Sequence, residues 1–142
     1  MADDGTIANS KLLDYYQSII SRMASNSSSL KGWAVSVATA VTGFAVKDGP
    51  PKLADLALVP LVLFFALDAY YLAAERVYRV KYNEAAEAVT TLPLEISGGL
   101  VTRAGWFSAA IQPVTWGVYF VLAVVAIVVG AGWFSFGQVA HK

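Results

Sequence analysis

The sequence has no cysteine, and its single histidine is His141, next to the last residue. Without cysteine the chain has no disulfide, no thiolate metal ligand and no cysteine nucleophile. One histidine in that position argues against histidine-based catalysis and against a histidine metal site. The sequence also has no glycine-rich phosphate loop, no serine elbow and no closely spaced pair of acids inside a membrane span. We therefore expect neither an enzyme nor a bound cofactor.

Charge is scarce as well. Charged residues make up 14% of the chain and hydrophobic residues 57%, whereas about a quarter of a soluble domain is charged. The net charge is zero, so the whole molecule gives no electrostatic argument for a nucleic-acid partner. With a mean hydropathy of +0.57, the composition predicts a membrane protein with one domain.

Three apolar segments are candidates for transmembrane helices. The clearest covers 113–136, carries no formal charge and begins at Pro113, a residue that suits the first turn of a helix. A second covers about 53–74 and includes Pro60, where a transmembrane helix tolerates a kink. The third, about 31–47, is short, so tilt, local thinning of the bilayer or continuation of the preceding helix must cover the difference.

The remaining segments surround these spans. The stretch DGPP at 48–51 predicts a tight turn that makes the first two spans a hairpin. We expect 1–9 to be disordered and 10–30 to form a cytoplasmic amphipathic helix, because apolar residues recur there at helical spacing. The serine-rich run at 25–29 predicts a hinge between two helices or, alternatively, a polar lining at the mouth of a water-filled cavity. The whole transmembrane domain covers 31–136.

Between the second and third spans, the segment 75–112 is predicted to lie in the cytoplasm. Its helix should continue to Val89, a loop should follow, and an amphipathic elbow is expected at 105–112. Residues 137–142 form the C-terminal tail.

Lysine and arginine predict the orientation. Seven of them flank one side of the spans and three flank the other. The positive-inside rule therefore puts the N-terminus in the cytoplasm and the C-terminus on the opposite side of the membrane. The seven are Lys11, Arg22, Lys31, Arg76, Arg79, Lys81 and Arg103; the three are Lys47, Lys52 and Lys142.

Asp68 lies inside the second apolar segment, and its local neighbours supply no cation. A charge at the centre of a span costs roughly 2.5–3.5 kcal/mol, and less toward the interface. We expect Asp68 to face a bundle interior, a water-filled vestibule or a cation from another helix, with Lys31 as first candidate and Arg22 as second. Three roles remain open: a polar staple between the first two spans, a cation-attracting or gating carboxylate, and a proton relay.

A strip of small residues follows one face of the first span. We call Gly32, Ser36, Thr39 and Gly43 the small-residue strip. Small residues permit close helix contact, and hydroxyl groups can bond across it, so helix packing is one interpretation. The other is a pore lining, with Asn26 at its mouth. Three short spans cannot enclose a pore alone. We therefore predict an all-α polytopic membrane protein that is homo-oligomeric.

Basic and aromatic residues alternate after the second span. They predict either an interfacial belt with snorkelling cations or a surface that holds single-stranded nucleic acid by phosphate contacts and stacking. The Glu75–Arg79 spacing also predicts an ion pair one turn apart. The candidates for an anionic ligand are Arg22, Lys31, Arg76, Arg79, Lys81, Arg103, Tyr71 and Tyr78.

Two motifs carry a resemblance to a known family. They are Asn26-Ser27 followed by Lys31-Gly32-Trp33, and Asp68-x-Tyr70-Tyr71-Leu72 followed by Glu75-Arg76. With these motifs the chain resembles small bacterial three-span proteins, and in particular the transmembrane effectors of Hailong antiphage defence. The match covers roughly residues 10 to 135.

The resemblance implies a homotetrameric ion channel that depolarises the membrane. Single-stranded DNA oligomers made by a nucleotidyltransferase-like partner would hold it shut. A rival interpretation of the sequence is a non-conducting membrane anchor or scaffold that recruits a soluble partner through its cytoplasmic helices.

Overall fold

A computed structural model of the chain describes residues 2–47, 50–87 and 100–131, with side chains from Ser10 onward apart from that of residue 51. These residues form helices and short connections, and none of them belongs to a strand. The all-α prediction is confirmed for this part of the chain. The elements are α1 (Ala2–Lys47), a 3-10 helix (Pro51–Ala57), α2 (Leu58–Glu87), α3 (Arg103–Ala110) and α4 (Pro113–Gly130).

Three of the helices are long and apolar enough to cross a membrane, namely Ser10–Lys47, Lys52–Glu87 and Pro113–Gly130. The prediction of three candidate spans is confirmed. The third span was expected to reach residue 136, and its last residues lie outside those described. The same holds for Val89, for the tail and for residues 90–99 of the loop predicted at 90–104. Of the rest of that loop, residues 100–102 are non-helical as expected, whereas 103–104 already belong to α3.

α1 is one unbroken helix of 46 residues. It begins at Ala2, within the segment 1–9 for which we expected disorder, and it passes without a break through 25–29, where we expected a hinge. Serine side chains compete for backbone hydrogen bonds and so disfavour a helix locally, but tertiary packing commonly overrides such a local preference. Here α1 packs on both sides of the run, through Tyr16 before it and Ala34 after it. This continuation supplies the length that the segment 31–47 lacks.

α2 also differs from its predicted bounds. A 3-10 helix precedes it, so Pro60 is the third residue of α2 and lies in its first turn. A proline there lacks an N–H that would have had no helical partner, so no kink is required. At its other end α2 continues past residue 74 to Glu87, in agreement with the predicted helical extension.

α1 and α2 form an antiparallel hairpin. Tyr16 of α1 packs with Ala85 near the end of α2, and Ala38 packs with Leu61 near its start. Alanines occupy many of these contacts, and small side chains let the two backbones approach closely. In a bilayer, where lipid is as apolar as leucine, this close approach is the main source of helix attraction.

α4 completes a three-helix bundle. Tyr119 packs against Ala34, Ala38 and Leu61, and Val129 packs near the other end of the spans. α4 therefore runs antiparallel to α2 and parallel to α1. The three helices meet along the whole described length of α4.

α3 is a short helix that packs against α2 and directly precedes α4 in the chain. The hydroxyl of Thr102 accepts a hydrogen bond from the Gly105 N–H and so caps the helix. The Trp106 indole N–H donates to the Ala66 carbonyl at 3.1 Å. The predicted elbow at 105–112 is thus mostly a helix that begins at Arg103. We call the end of the bundle where it packs the α3 end.

The alanine face of α1 leads to the first prediction. Ala34 is fully buried, so Ala34→Leu should force α1 away from its neighbours. Overpacking of this kind costs about 1–3 kcal/mol. Ala24→Leu is the matched control, because Ala24 is exposed on the same helix. Thermal unfolding of the detergent-solubilised protein measures both, and equal melting temperatures for the two variants would contradict the packing described.

Candidate functional site

Asp68 is fully buried at the α3 end of the bundle. Its Oδ2 atom lies 2.6 Å from the Lys31 ammonium, and its Oδ1 atom accepts a hydrogen bond from the Ser27 hydroxyl. Lys31 also donates to the Ser27 oxygen at 2.9 Å. The three side chains form a closed cluster that joins α1 to α2. We call it the Asp68 cluster.

The local structure explains why these three residues meet. Ser27 and Lys31 are four residues apart and therefore lie one above the other on one face of α1. That face is the one that packs on α2, as the burial of Ala34 and Ala38 one and two turns later indicates. The antiparallel hairpin then brings Asp68 of α2 to the same level.

α4 adds one hydroxyl group next to this cluster and a second one elsewhere in the bundle interior. The Tyr119 hydroxyl interacts electrostatically with the Asp68 carboxylate but lacks the distance and angle of a full hydrogen bond. Thr115, one turn earlier on the same helix, is fully buried. Its hydroxyl has no hydrogen-bond partner among the described residues. The polar interior of the bundle thus includes side chains from all three spans.

The cluster meets the requirement that the sequence imposes on Asp68. We expected a bundle interior, a vestibule or a cation from another helix, and one chain supplies both the interior and the cation. The predicted partner, Lys31, is the observed one. Lys31 keeps 22% of its side chain exposed, so only the carboxylate is fully removed from solvent. Of the three roles left open for Asp68, these contacts support the polar staple.

The small-residue strip has a different environment. Its four residues are all exposed, and a methyl group added at Gly32 or Gly43 would meet no atom within 4 Å. The packing interpretation therefore has no partner helix within the described chain. α1 packs instead through Ala34, Ala38 and Ala45, on the opposite face.

The strip continues toward the N-terminus. Ser25 and Ser29 lie on the same face of α1 at steps of three to four residues, and both are exposed. From Ser25 to Gly43 the face is about 27 Å long, close to the thickness of a hydrocarbon core. The Ser36 hydroxyl donates to the Gly32 carbonyl of its own helix. Asn26 is exposed too, but it lies about 100° around the helix from Ser25.

The candidate residues for an anionic ligand do not form one patch. Lys31 belongs to the Asp68 cluster, and Arg79 forms the predicted ion pair with Glu75 at 2.7 Å. Arg76 donates to the Ser108 hydroxyl of α3 at 3.4 Å. Arg22 and Arg103 are exposed on α1 and α3.

The remaining candidates also have contacts within the chain. Tyr78 packs against Tyr16 and Tyr71 against Tyr70 as tilted or edge-on ring pairs, and Lys81 has an interaction of its own. Tyr78 thus takes part in packing of the hairpin, whereas the ring contact of Tyr71 lies within α2.

Three residues of this region were not predicted from the sequence: Ser27, Thr115 and Tyr119. Ser27 stood within the serine-rich run and in the Asn26-Ser27 motif, but neither pattern indicated that it would meet Asp68. For Thr115 and Tyr119, the only signal is that a polar group recurs one turn apart in an otherwise apolar span. That spacing indicates a shared face, but not the element that the face meets.

Comparison with known proteins gives no match, neither to a family model, nor to a curated protein, nor to a solved structure. Within the described residues the protein is helical apart from short connections, and three of its helices are candidates for crossing a membrane.

The Asp68 cluster leads to a prediction about stability. Lys31→Met should lower the free energy of unfolding by about 3 kcal/mol, because it leaves a buried carboxylate without its cation. The double variant Lys31→Met/Asp68→Leu should recover most of that loss, since no charge remains buried. Chemical unfolding in detergent micelles measures both variants.

The control for this pair is Glu75→Gln. It breaks the more exposed Glu75–Arg79 pair, which is worth only about 0.3–0.5 kcal/mol. A double variant as unstable as Lys31→Met alone would contradict the cluster as the source of the effect.

Thr115 supports a second prediction. Because its buried hydroxyl has no partner among the described residues, Thr115→Val should leave stability unchanged or raise it by roughly 1 kcal/mol. Thr115→Ala should lower stability, since it also removes a packed methyl group. The same unfolding measurement compares the two. A large loss for Thr115→Val would mean that the hydroxyl is bonded in the protein.

Proposed function

We propose that the protein is a homo-oligomeric ion-channel effector of the bacterial inner membrane, with its N-terminus in the cytoplasm and its C-terminus in the periplasm. One observation supports this proposal above the others. The small-residue strip and its continuation to Ser25 leave a membrane-length face of α1 exposed, with glycine, serine and threonine where lipid contact favours bulky apolar side chains.

Several copies arranged with this face inward would give the strip a suitable environment. A ring of α1 helices would present Ser36 and Thr39 to a narrow water-filled path, and hydroxyl groups are suitable there because they replace part of an ion's hydration. Asn26 would lie beside the mouth of this path. Asp68 would act indirectly, since its cluster fixes the rotation of α1 and therefore which face is turned outward.

The resemblance in the sequence extends the proposal to its biological setting. It favours a tetramer in antiphage defence that depolarises the membrane when an inhibitory ligand is lost. The ligand would be a single-stranded DNA oligomer made by a nucleotidyltransferase-like partner. Arg22 is exposed on α1, nine residues before the first residue of the predicted span 31–47, and under this proposal a soluble polyanion reaches it there.

Ion flux across liposomes or planar bilayers that contain the purified full chain tests the proposal. Wild type should conduct, and Ser36→Leu should reduce the current at least tenfold by blocking a narrow path. Val62→Leu is the matched control, because Val62 is an exposed apolar residue of α2 that suits lipid contact. Native mass spectrometry of the same samples should show one oligomer for all three proteins.

The nucleic-acid part of the proposal has its own measurement. A single-stranded oligonucleotide should suppress the current with an affinity that falls steeply as salt rises, and Arg22→Gln should weaken this suppression. Conductance that no oligonucleotide alters would contradict only the ligand. Absence of current under every condition, in a protein that is monomeric or co-purifies with a soluble partner, would contradict the channel and favour the anchor.

A further inference from the structure

The α3 end of the bundle has an apolar surface that none of the described helices covers. Phe107 and Ile111 lie four residues apart and are 62% and 74% exposed. Val114, at the start of α4, is exposed beside them in the chain. The other face of α3 is occupied, because Ala109 and Ala110 are buried and Trp106 is bonded to α2. α3 therefore packs on α2 through one apolar face and leaves Phe107, and Ile111 just after its end, directed outward.

The depth of this surface follows from its contacts. α3 ends at Ala110, three residues before the span that begins at Pro113. It packs on α2 between Ala66, which accepts from Trp106, and Arg76, which donates to Ser108. The second span predicted from the sequence, 53–74, ends between Ala66 and Arg76. The outward face of α3 therefore lies at the boundary between hydrocarbon and headgroups, where amphipathic helices bury their apolar side.

Positive charge flanks the same surface. Arg76 has one hydrogen bond among the described residues, a long one of 3.4 Å to a neutral hydroxyl, and no acid within salt-bridge distance there. Its neighbour in sequence, Glu75, is paired with Arg79 instead. Arg103 is exposed at the start of α3. A guanidinium has five N–H donors in a fork that matches phosphate oxygens.

From this arrangement we propose that the corner between α2 and α3 binds one anionic phospholipid of the adjacent leaflet. The Arg76 guanidinium and the Ser108 hydroxyl bind its phosphate, and the acyl chains lie against Phe107 and Ile111. Basic pockets between helices at a membrane boundary commonly hold anionic headgroups. An acyl chain accounts for the exposed apolar side chains, which a soluble polyanion would leave uncovered. The proposal does not depend on whether the protein conducts ions.

Native mass spectrometry of the full chain in a nonionic detergent provides the test, with equal amounts of phosphatidylglycerol and phosphatidylcholine added. Wild type should retain phosphatidylglycerol in preference to phosphatidylcholine. Arg76→Gln should reduce this preference about fivefold, the effect of one arginine near an anionic surface. Arg79→Gln, one turn away and paired with Glu75, should leave the preference unchanged.

A second substitution keeps the test decisive if Arg76→Gln does not fold. Ser108 is exposed, so Ser108→Asp should be tolerated. The new carboxylate lies beside Arg76, where it neutralises the guanidinium charge and repels phosphate. The preference for phosphatidylglycerol should therefore fall as in Arg76→Gln. Ser108→Asn keeps a hydrogen-bonding group without charge and should retain most of the preference.

Three results would overturn the proposal. One is equal retention of the two lipids by wild type. Another is an equal loss in Arg76→Gln and Arg79→Gln, which would indicate diffuse surface charge. The third comes from adding a single-stranded oligonucleotide: if it displaces the lipid and is itself lost in Ser108→Asp, the corner is a nucleic-acid site.

Discussion

The ion pair between Lys31 and Asp68 is the interaction on which the arrangement of the helices depends. A carboxylate within a membrane-spanning segment is costly unless a cation and hydrogen bonds accompany it, and here Lys31 and Ser27 supply both. Because the two helices are antiparallel, this contact permits only one longitudinal register. It also permits only one rotation of α1 about its axis, since Lys31 must point toward α2.

That rotation gives α1 two unlike faces. The alanine face turns toward α2 and α4, where small side chains allow close contact over the full width of the spans. The small-residue strip lies opposite and stays exposed. A mutation in the Asp68 cluster would therefore act on the strip without touching it, through the orientation of the whole helix. Structural and functional roles of Asp68 are for this reason difficult to separate by activity alone, and the stability of the fold must be measured beside it.

Much of the fold follows from rules that act within one segment. The length of the apolar runs predicts the spans, the four-residue spacing predicts the Glu75–Arg79 pair, and the cost of a buried charge predicts that Asp68 meets Lys31. The unpredicted features depend on register between helices. Tyr119 interacts with Asp68 only because α4 packs against α2 at one offset, and nothing in the sequence of α4 encodes that offset. The expected hinge at 25–29 had local support only, and the packing of α1 on either side of it overrides that preference.

Four of the cations differ in whether an acidic side chain of the protein already pairs with them: Lys31, Arg79, Arg76 and Arg22. Lys31 and Arg79 each have an acidic partner in the chain, so an anion would have to compete with a carboxylate for them. Among the described residues, Arg76 has only a hydroxyl as a partner, and the lipid proposal puts it at the level of the phosphates. Arg22 is on the extension of α1, nine residues or about 13 Å before Lys31 along the helix. A polyanion at Arg22 and a lipid at Arg76 would therefore occupy different parts of the chain, so the two proposed ligands need not exclude each other.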